Sequence, residues 1–158
     1  FTNTENGFCP CTAQAAMEIL NYYGIDCRGR TAVIIGRSLV VGRPAAMLLL
    51  HQHATPTICH TKTEQMPEIV RGADIVIVCA GKMEAIGREY FHEGQTVIDV
   101  GIGWNEAKGK LCGDVDFDAV EPLVEAITPV PGGVGAVTTS VLVSHVAEAA
   151  ARALRKEN

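Results

Sequence analysis

The chain has 158 residues, 47% hydrophobic and 20% charged, which suits one domain with a proper core and excludes a disordered segment. A formal net charge of −5 without any basic run argues against general nucleic-acid binding. Apolar stretches are interrupted by Gly, Pro or charge before the ~20 residues of a membrane span, so no membrane partner is expected. The polar residues 1–7 carry no signal peptide, and the missing initiating Met suggests a fragment or processed chain. Of the six cysteines, Cys59, Cys79 and Cys112 lie in or beside apolar runs, where a free thiol packs as a small hydrophobe. Cys9-Pro10-Cys11 lacks zinc-site spacing, so no metal site is expected, and the cytoplasm is the expected compartment.

A helix is expected from Thr12 to Tyr23, with Ala15, Ala16, Ile19, Leu20 and Tyr23 on one face, Thr12 as N-cap and Gly24 as stop. Thr31 to Ile35 is a continuous β-rich run, the pattern of a strand covered on both faces. Pro44 to His53 reads as a helix, Thr57 to His60 as a second strand, and Met66 to Arg71 as a short helix. Ile75 to Cys79 and Thr96 to Val100 are two more buried strands, each running into a glycine. Weaker segments near Leu111 and at Ala126 to Thr128 suit edge strands or extended connections, and Thr138 to Leu154 reads as a long helix. Strands alternating with helices specify an α/β fold, a doubly wound parallel sheet of the Rossmann-like kind. The loops after Gly36, Thr61, Gly81 and Gly101 then meet at the carboxyl edge of that sheet, where ligands bind.

Between the first strand and its helix lies Gly36-Arg37-Ser38, with Gly42-Arg43-Pro44 opening the helix. Strand, glycine turn and helix aim backbone N–H groups and a helix N-terminus at a phosphate. An Asp or Glu ending the second strand would accept the ribose 2′-OH and repel a 2′-phosphate. Here that position reads His60-Thr61-Lys62-Thr63, with no acid before Glu64. Hydroxyls, Lys62 and Arg37 favour NADP over NAD.

Four motifs in order resemble the bifunctional methylenetetrahydrofolate dehydrogenase/methenyltetrahydrofolate cyclohydrolase family. They are Pro10-Cys11-Thr12, then Gly36-Arg37-Ser38 with Val41-Gly42-Arg43-Pro44. Val100-Gly101-Ile102 follows, with Gly113-Asp114-Val115-Asp116-Phe117 after it. The last is the run from Thr128 through Pro129-Val130-Pro131-Gly132-Gly133-Val134 to Gly135; Cys59 to Thr63 also fits the family pattern. The resemblance implies NADP-linked oxidation of 5,10-methylenetetrahydrofolate and hydrolysis of the methenyl product to 10-formyltetrahydrofolate. It implies that Gly36, Arg37 and Ser38 contact the pyrophosphate and 2′-phosphate, that Thr61 lies near the 2′-phosphate, and that Ile102 packs near the nicotinamide. It further implies that Pro131, Gly132 and Gly135 face the folate, with a cofactor contact at Thr138. Two departures mark the loops: Gly103-Trp104 stands for the usual Asn-Arg, and Ala136-Val137 for Pro-Met.

The family's catalytic Lys belongs to a Tyr-x-x-x-Lys motif in an N-terminal folate domain. No tyrosine here (Tyr22, Tyr23, Tyr90) has Lys four residues on, so no catalytic residue is assigned and the fragment alone is expected to be inactive. Lys82 is the loop lysine nearest the crevice, His60 ends a strand there, and Asp99 braces the fourth loop. His51, His53, His92 and His145 read as surface or helix-face residues. Asp114 and Asp116 suit either acid–base work or fixing of the loop backbone. By analogy with the family a homodimer is expected. A stand-alone nucleotide-binding or regulatory module is the alternative reading, and a different two-domain dehydrogenase a third.

Overall fold

The structure, a computed structural model, describes residues 7–156. The chain runs α1 (Cys11–Tyr22), β1 (Thr31–Ile35), α2 (Gly42–His51), β2 (Thr55–Cys59), α3 (Met66–Arg71) and β3 (Ile75–Val78). A 3-10 turn (Arg88–Tyr90) precedes β4 (Thr96–Asp99), β5 (Gly103–Asn105), β6 (Lys110–Cys112), α4 (Phe117–Val120), β7 (Ala126–Ile127) and α5 (Val134–Lys156).

β3 is apolar along its length, and β1 and β4 are apolar at their centres, because both faces of these strands are covered. Successive side chains of a strand point to opposite faces, and the core divides accordingly. Ile34, Ile77 and Ile98 pack with Ala16, Leu20 and Leu49 from α1 and α2 and with Val141 from α5. Val33, Val76, Val78 and Val97 face the other way, onto Val70 of α3, Phe91 and Val120 of α4. The sheet has the order β2-β1-β3-β4-β7, and every pair in it is parallel. β2 lies at one edge, where Pro56 is tolerated because its missing donor faces away from the ladder.

Several boundaries differ from the sequence expectation. Thr12 is not the N-cap of α1: Pro10 occupies that place and no side chain caps the helix. Gly24 does end α1, at φ +69, with Ile25 N–H returning to Leu20 O at 2.9 Å. Tyr23 lies outside the core face, 72% exposed. α5 begins four residues before Thr138, because the Pro-Gly-Gly loop folds directly into its first turn. The segment at Leu111 does not join the main sheet; β6 pairs with β5 in a separate antiparallel hairpin. Ala126 and Ile127 do extend the sheet, beside β4.

By length and composition alone residues Val134–Arg155 of α5 qualify as a membrane-crossing helix, at mean hydropathy 1.3. Glu148 and Arg152 interrupt that stretch and pair at 2.6 Å, while Val134 and Val141 are packed in the core. All six cysteines are free; Cys27, Cys59 and Cys112 are buried.

Candidate functional site

The chain leaves β1 for β2 on one side and returns to β3 on the other, so the sheet reverses its order between β1 and β3. The carboxyl ends of two such strands open a crevice between their outgoing loops. In this protein it is a cavity of about 400 Å³. Gly36, Arg37 and Ser38 enter it from β1, Thr61 from β2, and Ala80 and Lys82 from β3. The charges on its lining are those of Arg37 and Lys82, and no carboxylate lines it.

The turn after β1 is built by close approach. A Cβ on Gly36 would lie 2.3 Å from Cys79 O, and the residue has φ +135. A Cβ on Gly42 would lie 2.2 Å from Gly36 O. Only glycine lets the end of β1, the end of β3 and the start of α2 come together here. Ser38 then holds the helix entrance. Its Oγ accepts the N–H groups of Val41 at 3.0 Å and Gly42 at 3.4 Å, and its carbonyl accepts Arg43 N–H at 3.0 Å.

Those bonds change what the helix offers a ligand. The first N–H groups of α2 are already satisfied by Ser38, and Pro44 has none to give. The N–H groups of Arg37, Ser38, Leu39 and Val40 find no acceptor among the described residues, so the turn rather than the helix end carries the open donors. Arg43 steadies the same turn through Nε, which donates to Arg37 O at 3.1 Å. The Arg37 side chain is exposed and makes no ion pair among the described residues.

At the β2 edge His60 is structural. Its N–H donates to Thr63 Oγ1 at 2.9 Å, and its Nδ1 accepts Lys62 N–H at 3.1 Å, which places the ring proton on Nε2. This tight turn sets Thr61 at the cavity and leaves Lys62 exposed just beside it. Cys79 forms part of the cavity floor; burial, and then the nearby Asp114 charge, push its thiol up to about 12. A protonated thiol there is a neutral packing surface and no nucleophile.

The other expected site residues lie elsewhere. Ile102 is 65% exposed in the loop after β4, and Thr138 sits in α5 with its hydroxyl donating to Val134 O at 2.9 Å. Gly101 is also absent from this cavity, so the four glycine-end loops do not all meet in it. Gly132 lines a larger cavity of about 700 Å³ between α1 and the loop before α5, together with Glu18, Tyr22, Tyr23, Pro129 and Val137. Pro131, whose peptide with Val130 is cis, lines a third cavity with Asp99 and Phe117, and Gly135 is exposed on the first turn of α5. Sequence reasoning missed Tyr90 and Ile86 on the wall of the first cavity and the α1 tyrosines on the second. No local pattern announces them, since each arrives through the packing of a distant element.

Residues 10–154 match the family described as tetrahydrofolate dehydrogenase/cyclohydrolase, NAD(P)-binding domain. The chain belongs to that family. It is 53% identical over 150 residues to the bifunctional protein FolD of Carboxydothermus hydrogenoformans, covering 94% of this chain and 52% of that protein. In three dimensions it resembles the FolD methylenetetrahydrofolate dehydrogenase/cyclohydrolase of Campylobacter jejuni, with a TM-score of 0.90 and 44% identity over 94% of this chain and 52% of that one. It also resembles the Trypanosoma brucei FolD, solved as a complex with NADP cofactor and an inhibitor, with a TM-score of 0.86 and 39% identity. The overlap there covers 94% of this chain and 52% of that one. The chain therefore spans about half the length of the relatives it matches. Within the tetrahydrofolate dehydrogenase/cyclohydrolase family it corresponds to the nucleotide-binding portion, the part that the β1–β3 cavity and its open turn describe.

Proposed function

We propose that this chain is the NADP-binding half of an enzyme that oxidises 5,10-methylenetetrahydrofolate and hydrolyses the methenyl product to 10-formyltetrahydrofolate. The observation that carries the cofactor choice is the β1–β3 cavity, lined by Arg37, Lys82, Ser38 and Thr61 without a carboxylate. A dianionic 2′-phosphate fits such a lining, because nothing on it repels the charge and several donors can share it. Arg37, Thr61 and the neighbouring Lys62 hold that phosphate in this reading. Gly36, Ser38 and the open N–H groups of the turn take the pyrophosphate. NADP supplies the hydride acceptor when bound. Ile102 presents apolar surface toward the nicotinamide end, and Thr138 makes its contact from α5. Pro131, Gly132 and Gly135 face the folate.

The catalytic lysine of this proposal belongs to the portion of the relatives that the chain does not span, which is why no residue here is given the chemical step. Isothermal titration of the chain with NADP and NAD side by side tests the cofactor assignment. NADP is expected to bind more tightly than NAD. Arg37→Ala is expected to weaken NADP by about 10- to 100-fold, the worth of hydrogen bonds to a charged group, with little change for NAD. Equal affinity for the two nucleotides, or an unchanged NADP affinity in Arg37→Ala, overturns it. Methylenetetrahydrofolate oxidation by this chain alone would refute the claim that the chemical step needs the other portion.

A further inference from the structure

On the α1–α5 side of the sheet, among residues that do not line the β1–β3 cavity, two residues 134 positions apart meet: Cys11, which opens α1, and His145, midway along α5. Cys11 Sγ lies 3.5 Å from His145 Nδ1. His145 Nε2 lies 2.8 Å from Gln14 Oε1, and Gln14 Nε2 donates to Glu18 Oε1 at 3.2 Å. The Glu18 carboxylate can only accept, so it orients the Gln14 amide with its oxygen toward the ring. That oxygen also only accepts, so Nε2 carries the imidazole proton and Nδ1 turns its lone pair to the Cys11 thiol. The Phe8 ring rests against the imidazole with centroids 4.9 Å apart, under the Arg152 guanidinium at 4.7 Å.

A thiol, a neutral imidazole accepting its proton and a third group that fixes the imidazole tautomer form the arrangement that activates a nucleophile. The other cysteines are placed differently. Burial pushes the Cys9, Cys27 and Cys59 thiols up, and Cys27 and Cys112 turn their S–H groups to backbone carbonyls. Among the described residues Cys11 is the one cysteine bonded to a ring nitrogen, and both it and His145 are partly exposed.

We propose that Cys11 is a base-assisted thiol that forms mixed disulfides with low-molecular-weight disulfides. Displacement at sulfur needs a nucleophile and a proton acceptor and no further donors, which is what this cluster holds. The Cys11 S–H proton passes to His145 Nδ1 as Sγ attacks one sulfur of the reagent. A new Sγ–S bond forms, the reagent's S–S bond breaks, and the departing thiolate takes the proton from His145. Cys11 is oxidised, and one half of the disulfide is reduced to a free thiol.

The test is the rate of reaction with 2,2′-dipyridyl disulfide, followed by released pyridine-thione and assigned by peptide mass mapping. It is done in a Cys9→Ser background, so that the adduct cannot pass to the neighbouring thiol. Cys11 is expected to react several-fold faster in the folded chain than in the same chain unfolded in urea. His145→Gln is expected to slow the folded reaction at least about tenfold, against the ~100-fold low end of general acid–base assistance, and to leave the unfolded rate unchanged. Gln14→Ala, which frees the ring tautomer, is expected to slow it by a smaller factor. A folded rate no faster than the unfolded one, or a folded rate that His145→Gln leaves unchanged, overturns the proposal.

Discussion

Asp99 shows how much one side chain can tie together. It ends β4, is 3% exposed, and accepts three backbone N–H groups: Gly101 at 2.9 Å and Asp114 at 3.1 Å on Oδ1, and Val115 at 2.9 Å on Oδ2. Thr128 Oγ1 takes the Asp99 N–H at 2.8 Å, and Asp114 in turn accepts Gly81 N–H at 2.8 Å. The two carboxylates therefore fix the loops after β3 and β4 against the turn at 113–116. The sequence allowed Asp114 and Asp116 to be an acid–base pair or backbone anchors; Asp114 is an anchor, and Asp116 makes no side-chain cap to α4. Burial raises Asp99 to about 6, against the three N–H bonds that lower it, and the Asp114 charge adds to the rise. In the unfolded chain the same carboxyl titrates near ~3.9. Between these values the folded chain keeps a proton that the unfolded chain has released, so stability falls as pH rises from about 4 through 6 and then levels. The change is about 2–3 kcal/mol, the size of a two-unit displacement. Urea titrations across that range, compared with Asp99→Asn, check it: the variant is expected to lack this slope. It is also expected to lose about 1–3 kcal/mol at neutral pH, because an amide NH₂ cannot accept all three N–H groups.

The turn from Gly36 to Gly42 was the clearest part of the site in the sequence, and the structure gives it a different construction at the same place. Strand, glycine and helix appear in the expected order, but Ser38 satisfies the first N–H groups of α2 and so leaves the open donors on the turn itself. The exchange is a matter of hydrogen bonds between neighbours three and four residues apart, which a residue string does not specify. Gly36→Ala places a Cβ 2.3 Å from a carbonyl oxygen that β3 cannot withdraw without losing its register with β1. It is expected to destabilise the chain by about 1–3 kcal/mol in urea titration and to weaken NADP binding. Gly135→Ala has open space around its Cβ and is expected to leave stability unchanged or slightly raised, which makes it the matched control. Of the two weak segments, Ala126–Ile127 joins the sheet beside β4 and the Leu111 segment does not. The Leu111 segment pairs with Gly103–Asn105 in a hairpin because a short strand takes the edge its loop can reach, and the edge of β4 is already taken by β7.

Over the whole molecule, the order β2-β1-β3-β4-β7 decides where a nucleotide can lie, since it brings loops from residues 36–38, 61 and 80–82 to one opening. A ligand that binds there only in the folded state stabilises the chain by about 2.7 kcal/mol at a hundredfold excess over its dissociation constant. Thermal unfolding with NADP present is therefore expected to rise by several degrees, with a smaller rise for NAD at the same concentration. A flat melting temperature with both nucleotides would contradict the cofactor reading. The sequence by itself determined the alternation of buried strands and helices, because full burial of both sheet faces demands unbroken apolar runs such as Ile75–Val78. It also marked the glycine turn and the missing acid after β2, because those are local requirements of chain geometry and charge. Tertiary structure alone decided that Tyr90 and Ile86 join Arg37 at one cavity while Thr138 and Ile102 stand outside it. It alone set His145 against Cys11. The reason is the same in each case: such contacts are made by the packing of elements far apart in the chain, and no local pattern encodes a distance between them.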